Sequence, residues 1–140
     1  MKWVKLALLT LVFIFSTNYV FGGQKFLQGI FLSTKQAKKK WGVASFKAAE
    51  FIKSSELEKG AMSVGLLEKK LYLNELMSKV RSDFGTPDSY FFSDTIYAYE
   101  ITPPEENKEQ WQLVFIPDDN LEKVKEIKIH KKCCYKSGFQ

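Results

Sequence analysis

The tetrapeptide Phe84-Gly85-Thr86-Pro87 divides the chain into two kinds of sequence. Before it, Leu76, Met77, Val80 and Phe84 recur at intervals of three and four, the spacing that places side chains on one face of a helix. Asn74 is a good N-cap for that helix and Glu75 suits its positive end. Gly85 can take the left-handed conformation just past the last turn, and Pro87 stops the helix from resuming. After Pro87 the period falls to two. Tyr97, Tyr99 and Ile101 alternate with Ala98 and Glu100; Trp111, Leu113 and Phe115 with Gln112, Val114 and Ile116; and Lys125, Ile127 and Ile129 with Glu126 and Lys128. This pattern predicts three strands. Their connections, Pro103 to Asn107 and Pro117 to Asn120, are rich in turn formers and too short for a crossover helix, so the strands form an antiparallel meander.

A sheet with an apolar face needs a cover, and the segments before Asn74 are the apolar surfaces at hand. Ser45 can cap a helix from Phe46 to Leu57 in which Phe46, Ala49, Ile52 and Lys53 follow helical spacing, with Gly60 at its end. Met62, Leu66, Leu67 and Leu71 suit one face of a second helix, although Gly65 weakens it. From Gln24 to Lys40 scattered apolar residues mix with glycine, serine and lysine, which reads as a tether or a loosely docked arm. The expected fold is therefore α+β, with two or three N-terminal helices on one face of a three- to four-stranded antiparallel sheet. The expected organisation is a signal peptide over 1–22, a flexible or loosely docked arm over 23–44 and one α+β domain over 45–140. A chain of 140 residues that is 45% hydrophobic has ample material for one such core.

The first 23 residues have the layout of an export signal. Lys2 and Lys5 form a positive start, Leu6 to Phe15 is apolar apart from Thr10, and Val20 and Gly22 meet the small-residue rule for cleavage between Gly22 and Gly23. The competing reading is an uncleaved inner-membrane anchor, since no charge occurs from Leu6 to Gly23 and such a stretch is at the short limit for a spanning helix. A lipid anchor would need a cysteine at the cleavage point, whereas the first cysteine is Cys133. The formal net charge is +5, and about +3 without Lys2 and Lys5. Of the 21 cationic residues only Arg81 is an arginine, and recognition of bases and phosphates favours the guanidinium fork, so nucleic acid is not an expected partner. The run Lys38-Lys39-Lys40 could touch an anionic membrane surface or simply be a solvated helix end.

From Leu76 through Val80, Phe84, Gly85, Thr86, Pro87 and Asp88 the chain resembles the SmpA/OmlA (BamE-like) family of small bacterial envelope proteins. In that family a helix ending in Leu-Gly-x-Pro precedes a strand with spaced aromatics, a further strand with Leu-x-Phe near a turn, and a last strand. Here Phe84 stands for the leucine, Tyr97 and Tyr99 are the aromatics, Trp111 to Phe115 is the next strand and Val124 to Ile129 the last, with a weaker echo at Gly60-Ala61-Met62 and Leu66-Leu67. The resemblance spans about 60 residues. It implies helices on one face of an antiparallel sheet and a scaffolding role in the periplasm or outer membrane, and the architecture is similar to that of β-lactamase-inhibitor proteins. The missing lipid-bearing cysteine departs from the family pattern and puts membership of a barrel-assembly complex in doubt.

Candidate chemistry is sparse. His130, the only histidine, follows Ile129 on the face opposite Ile127 and Ile129, where a solvated or edge position is the default. Cys133 and Cys134 are the only cysteines; a vicinal disulfide, an intermolecular bridge and free thiols are all open to them. A vicinal bridge would be strained, because neighbouring Cα atoms are about 3.8 Å apart and disulfides favour ~4.4–6.8 Å. Asp118, Asp119 and Asn120 lack the spacing of a calcium loop and read as turn residues, and Glu105, Glu106 and Glu109 as solvated loop residues. No catalytic residues, metal ligands or cofactor are expected. Tyr90, Phe91 and Phe92 form the most apolar local cluster; period-two geometry buries at most alternate members, so two readings are open, an exposed contact anchor for a partner or a loop folded back over the core. The expectation is a non-enzymatic, exported protein-interaction domain of the bacterial cell envelope, in the periplasm or secreted, linked to outer-membrane assembly or maintenance. A secreted or periplasmic inhibitor of a hydrolase is the alternative.

Overall fold

The computed structural model describes residues 29–103, 105 and 108–132. In chain order these form β1 (Ile30–Leu32), α1 (Thr34–Trp41), α2 (Ala48–Phe51), α3 (Glu56–Glu68), α4 (Met77–Phe84), β2 (Tyr97–Glu100), β3 (Gln110–Pro117) and β4 (Val124–Lys132). The sheet is antiparallel throughout, in the order β1-β4-β3-β2. The α+β class and the three-strand meander are as expected. The helices, however, number four among the described residues and follow a first strand that the period-two pattern did not reveal.

Side-chain alternation puts Tyr99, Trp111, Leu113, Phe115 and Ile129 on one face of the sheet, and these join Ala37, Trp41, Phe51, Met62, Val64, Leu66, Met77, Val80 and Phe84 from the helices in one buried cluster. Phe84, the last residue of α4, sits at its centre. Its ring is 4.8 Å from Tyr99, 5.1 Å from Phe46 and Phe115, 5.2 Å from Phe51 and 5.5 Å from Tyr72. Each such pair adds about 0.5–1.5 kcal/mol beyond the area it buries. Gly85 caps α4 at φ 80°, ψ −163°, a glycine region distinct from the left-handed helical one expected, and its carbonyl accepts from Tyr99 Oη at 2.9 Å.

Several expectations for the first half are corrected. From Gly29 on, where the segment read as a loose arm is described, it is part of the fold. β1 pairs with β4 (Leu32 opposite Ile129), and α1 buries Ala37 and Trp41. Ser33 starts α1 with a capping box to Gln36, a device worth about 1 kcal/mol. The helix assigned to Phe46–Leu57 is only the single turn α2. Lys47, with no side-chain cap bond, stands at its start in place of Ser45. Ser55 caps the next helix, again through a capping box, and its partner Glu58 is held below the usual carboxylate range by the Ser55 backbone amide and hydroxyl. That helix, α3, runs straight through Gly60 and Gly65.

Close packing explains both glycines. A Cβ at Gly60 would lie 2.3 Å from the Trp41 ring, and one at Gly65 would lie 1.9 Å from the Ala44 carbonyl oxygen. The segment before α2 can therefore lie against α3, with Ala44 N donating to Ala61 O at 3.0 Å. Asn74 is likewise not the cap of α4. It has φ 65°, and the β3–β4 turn closes the helix start instead, with Met77 N donating to Glu122 O at 2.8 Å and Asn74 N to Val124 O at 2.9 Å. In β4, Lys125 does not continue the apolar alternation. A register shift at Ile116/Pro117 sets Val124 rather than Lys125 on the core side.

Gly65→Ala gains at most about 1 kcal/mol in helix propensity but drives a methyl group into the backbone of Ala44. The expected net loss is about 2 kcal/mol or more, read as a lower urea midpoint at unchanged slope.

Candidate functional site

Every residue of β3 from Trp111 to Pro117 is buried, so its second face needs a cover of its own. Gln112, Val114 and Ile116 point to that face. The segment from Asp88 to Ile96 lies over it as a lid. Phe91, only 2% exposed, packs with Ala98, Val114 and Ile116, and Phe31 and Ile96 border the group. Two hydrogen bonds tie the lid to β2, one from backbone to backbone and one to a side chain: Ser89 N donates to Ala98 O at 3.2 Å, and Asp88 Oδ1 accepts from Glu100 N at 2.8 Å. These two bonds occupy the outer edge of β2, which would otherwise offer free donors and acceptors to another strand.

The amide of Gln112, fully buried at mid-strand, organises the lid. Its Oε1 accepts from the Ser89 hydroxyl, and its Nε2 donates to Tyr90 O at 3.2 Å and to His130 Nδ1 at 3.0 Å. With both amide hydrogens committed, Nδ1 of His130 acts as acceptor and the imidazole is neutral. His130 is half-buried, its ring 4.6 Å from Phe91 and 5.3 Å from Phe31, and burial pushes its pKa below the ordinary histidine value. The face predicted for His130 is correct, but the solvated position is not. The charged groups around it are mutually engaged: Lys132 with Glu100 across the sheet, Lys128 with Glu126 and over the Phe31 ring, and Asp88 with the Glu100 amide. Protonation would set an Nδ1–H against the Gln112 amide. Turning that amide over would supply an acceptor but break its bond to Tyr90 O.

The three neighbouring aromatics are thereby divided. Phe91 is the pin of the lid and not a contact residue, which corrects one member of the expected trio. Tyr90 and Phe92 are 60% and 50% exposed. The Tyr90 hydroxyl donates to Phe92 O, and the Phe92 ring stands edge-on to Phe91 at 4.7 Å. Phe92 has φ 58°, a backbone conformation that bulky side chains rarely adopt. The result is a pair of aromatic side chains held in fixed positions at the surface.

A second surface feature was missed in the sequence. A groove of about 670 Å3 between α4 and the β3–β4 turn is lined by Leu76, Met77, Arg81, Tyr97 and Leu121 among others, bringing the single arginine beside two exposed leucines.

The remaining candidates sort into structural roles. Asp118 Oδ1 accepts from Glu122 N at 2.9 Å and Lys123 N at 3.2 Å, as a turn residue should, and these bonds lower its pKa. Glu109 is held down by Lys131, whose Nζ lies 2.6 Å away. Within the basic run, Lys38 pairs with Glu68 at 2.8 Å and Lys40 with Glu109 at 3.9 Å. Asp83 accepts from Lys79 at 2.8 Å and from the Tyr72 hydroxyl at 2.7 Å, bracing a tyrosine whose φ is 66°. Cys133 and Cys134, the Gly22–Gly23 cleavage point and Glu106 lie outside the described residues. Among the described residues no group of three or more His, Cys, Asp or Glu could hold a metal ion, and no helix is long and apolar enough to cross a membrane. No protein-family model, curated protein or solved structure matches the chain.

Two measurements probe this arrangement. Since the folded state lowers the His130 pKa, its neutral form contributes fully above the unfolded value of about 6.5, and that contribution falls as the pH drops from there toward the folded value. Between pH 7.5 and 5.0 the wild type should lose more stability in urea than His130→Asn, which keeps an acceptor for Gln112 but does not titrate. Separately, Phe91→Ala should cost about 3 kcal/mol or more, whereas Phe92→Gly, which relieves the positive φ and removes an exposed ring, should leave the urea midpoint unchanged or raised.

Proposed function

We propose that the protein is an exported, non-enzymatic interaction domain of the bacterial cell envelope, which binds another protein through the aromatic pair Tyr90 and Phe92. The observation that carries this reading is the fixed presentation of that pair. Two large aromatic side chains stand exposed on a segment anchored by a buried glutamine and a buried phenylalanine. Aromatic side chains displayed on a rigid support lose little conformational freedom on binding, and they are the residue type on which interface energy concentrates. The signal-like layout of the first 23 residues and the ordered series shared with SmpA/OmlA proteins support an envelope location, and with it a part in outer-membrane assembly or maintenance.

The same rigid loop also suits insertion into an enzyme's cleft, so inhibition of a secreted or periplasmic hydrolase is the second reading. Location separates the two: an envelope scaffold fractionates with membranes or periplasm, and an inhibitor accumulates in the medium.

The direct test places a photo-crosslinking phenylalanine analogue at position 92, 90 or 57 of the full chain in a Gram-negative host. Position 57, where Leu57 is exposed on α3, is the control. Positions 90 and 92 should give one adduct of defined mass in the envelope fraction, and position 57 none. Equal labelling at all three positions, or no adduct at any, would contradict the reading.

A further inference from the structure

The groove beside α4 combines a core side chain with two apolar side chains that the fold leaves exposed. Its floor is Met77, buried, and its walls carry Leu76 and Leu121, 50% and 54% exposed. Leu121 sits at φ 61°, where a glycine or asparagine would be unstrained, so the turn keeps a large apolar side chain in a costly backbone conformation and displays it to solvent. The walls cannot drift apart. Met77 N donates to Glu122 O at 2.8 Å, Val124 N to Glu75 O at 2.9 Å and Leu121 N to Asp118 O at 3.0 Å. Between the walls stands Arg81, the chain's single arginine, with no ion pair or side-chain hydrogen bond among the described residues.

We propose that this groove binds a segment of a partner protein in which an acidic side chain neighbours an aliphatic or aromatic one. The leucines and Met77 take the apolar side chain, and the planar guanidinium takes the carboxylate through two parallel hydrogen bonds. An internal Asp or Glu fits better than a chain end, because capture of a terminal carboxylate uses a run of free backbone amides, and on either side of Ser78 those of Met77 and Lys79 are engaged by Glu122 O and Leu76 O. Glu122, also in the lining, disfavours polyanions such as nucleic acid. This surface is separate from Tyr90 and Phe92, so the inference does not depend on the role proposed for them.

The test is selection of a randomised octapeptide display library on the immobilised full chain, followed by affinity measurement of the enriched peptides. Enriched sequences should carry Asp or Glu within two positions of Leu, Ile, Val, Met or Phe. Arg81→Gln should weaken them about tenfold or more. On that variant the Glu and Gln forms of one peptide should bind alike. Leu121→Gly, which relaxes the turn, should weaken both forms equally, and the double variant Tyr90→Ser, Phe92→Gly should bind as wild type does. Enrichment of peptides without acidic residues, no enrichment, or unchanged affinity on Arg81→Gln would overturn the proposal.

Discussion

The rest of this structure depends on the double burial of β3. A strand with apolar side chains on both faces stays in water only if both are covered, and the two covers here are unlike. One is a layer of helices centred on Phe84. The other is a short lid, pinned by Phe91 and tied to the edge of β2, whose path is set by polar bonds to one buried side chain. Gln112 is that side chain. A buried amide costs free energy unless its donors and acceptor are all matched, and at Gln112 they are, by Ser89, Tyr90 and His130. The same bonds set the backbone from which Tyr90 and Phe92 project.

The second half of the fold was legible because its signals are local and strong. The stop at Phe84-Gly85-Thr86-Pro87, the alternation in three strands and the turn chemistry at Asp118 need no tertiary information. The first half was less legible because its signals are short. β1 is three residues, below any window in which alternation can be recognised, and α1 buries only Ala37 and Trp41. The capping boxes Ser33…Gln36 and Ser55…Glu58 were present in the sequence and mark both helix starts correctly; reading 24–40 as an arm missed the first, and running one helix from Ser45 to Leu57 missed the second. Gly60 and Gly65 misled for a physical reason. Glycine weakens an isolated helix, but in α3 it makes room for an indole and a backbone carbonyl brought there from a distant segment.

The candidate sites divide in the same way. The aromatic trio was visible as a cluster, but which ring turns inward depends on the lid's path, and that depends on Gln112, placed 20 or more positions away. His130 was assigned to the correct face, yet its burial comes from Phe31 and Phe91, one on an unrecognised strand and the other on the lid. Apolar character at Val114 and Ile116 was the available clue that the outer face needs its own cover. Both proposed contact surfaces also share a device that sequence alone does not expose: Phe92 and Leu121 are large apolar residues held at positive φ, where the backbone sacrifices stability to fix a side chain at the surface.

Native-state amide hydrogen exchange on the full chain tests the central claim, that the lid is a structural layer and not a passing loop. The amides of Ser89 and Glu100 bond to Ala98 O and Asp88 Oδ1 across the lid–sheet seam. If the lid is built as described, both exchange with protection close to that of the β3 amides, opening only when the sheet does. Exchange of these two amides at the rate of an unstructured peptide, while β3 stays protected, would show that the outer face is covered only transiently and would contradict the fixed presentation of Tyr90 and Phe92.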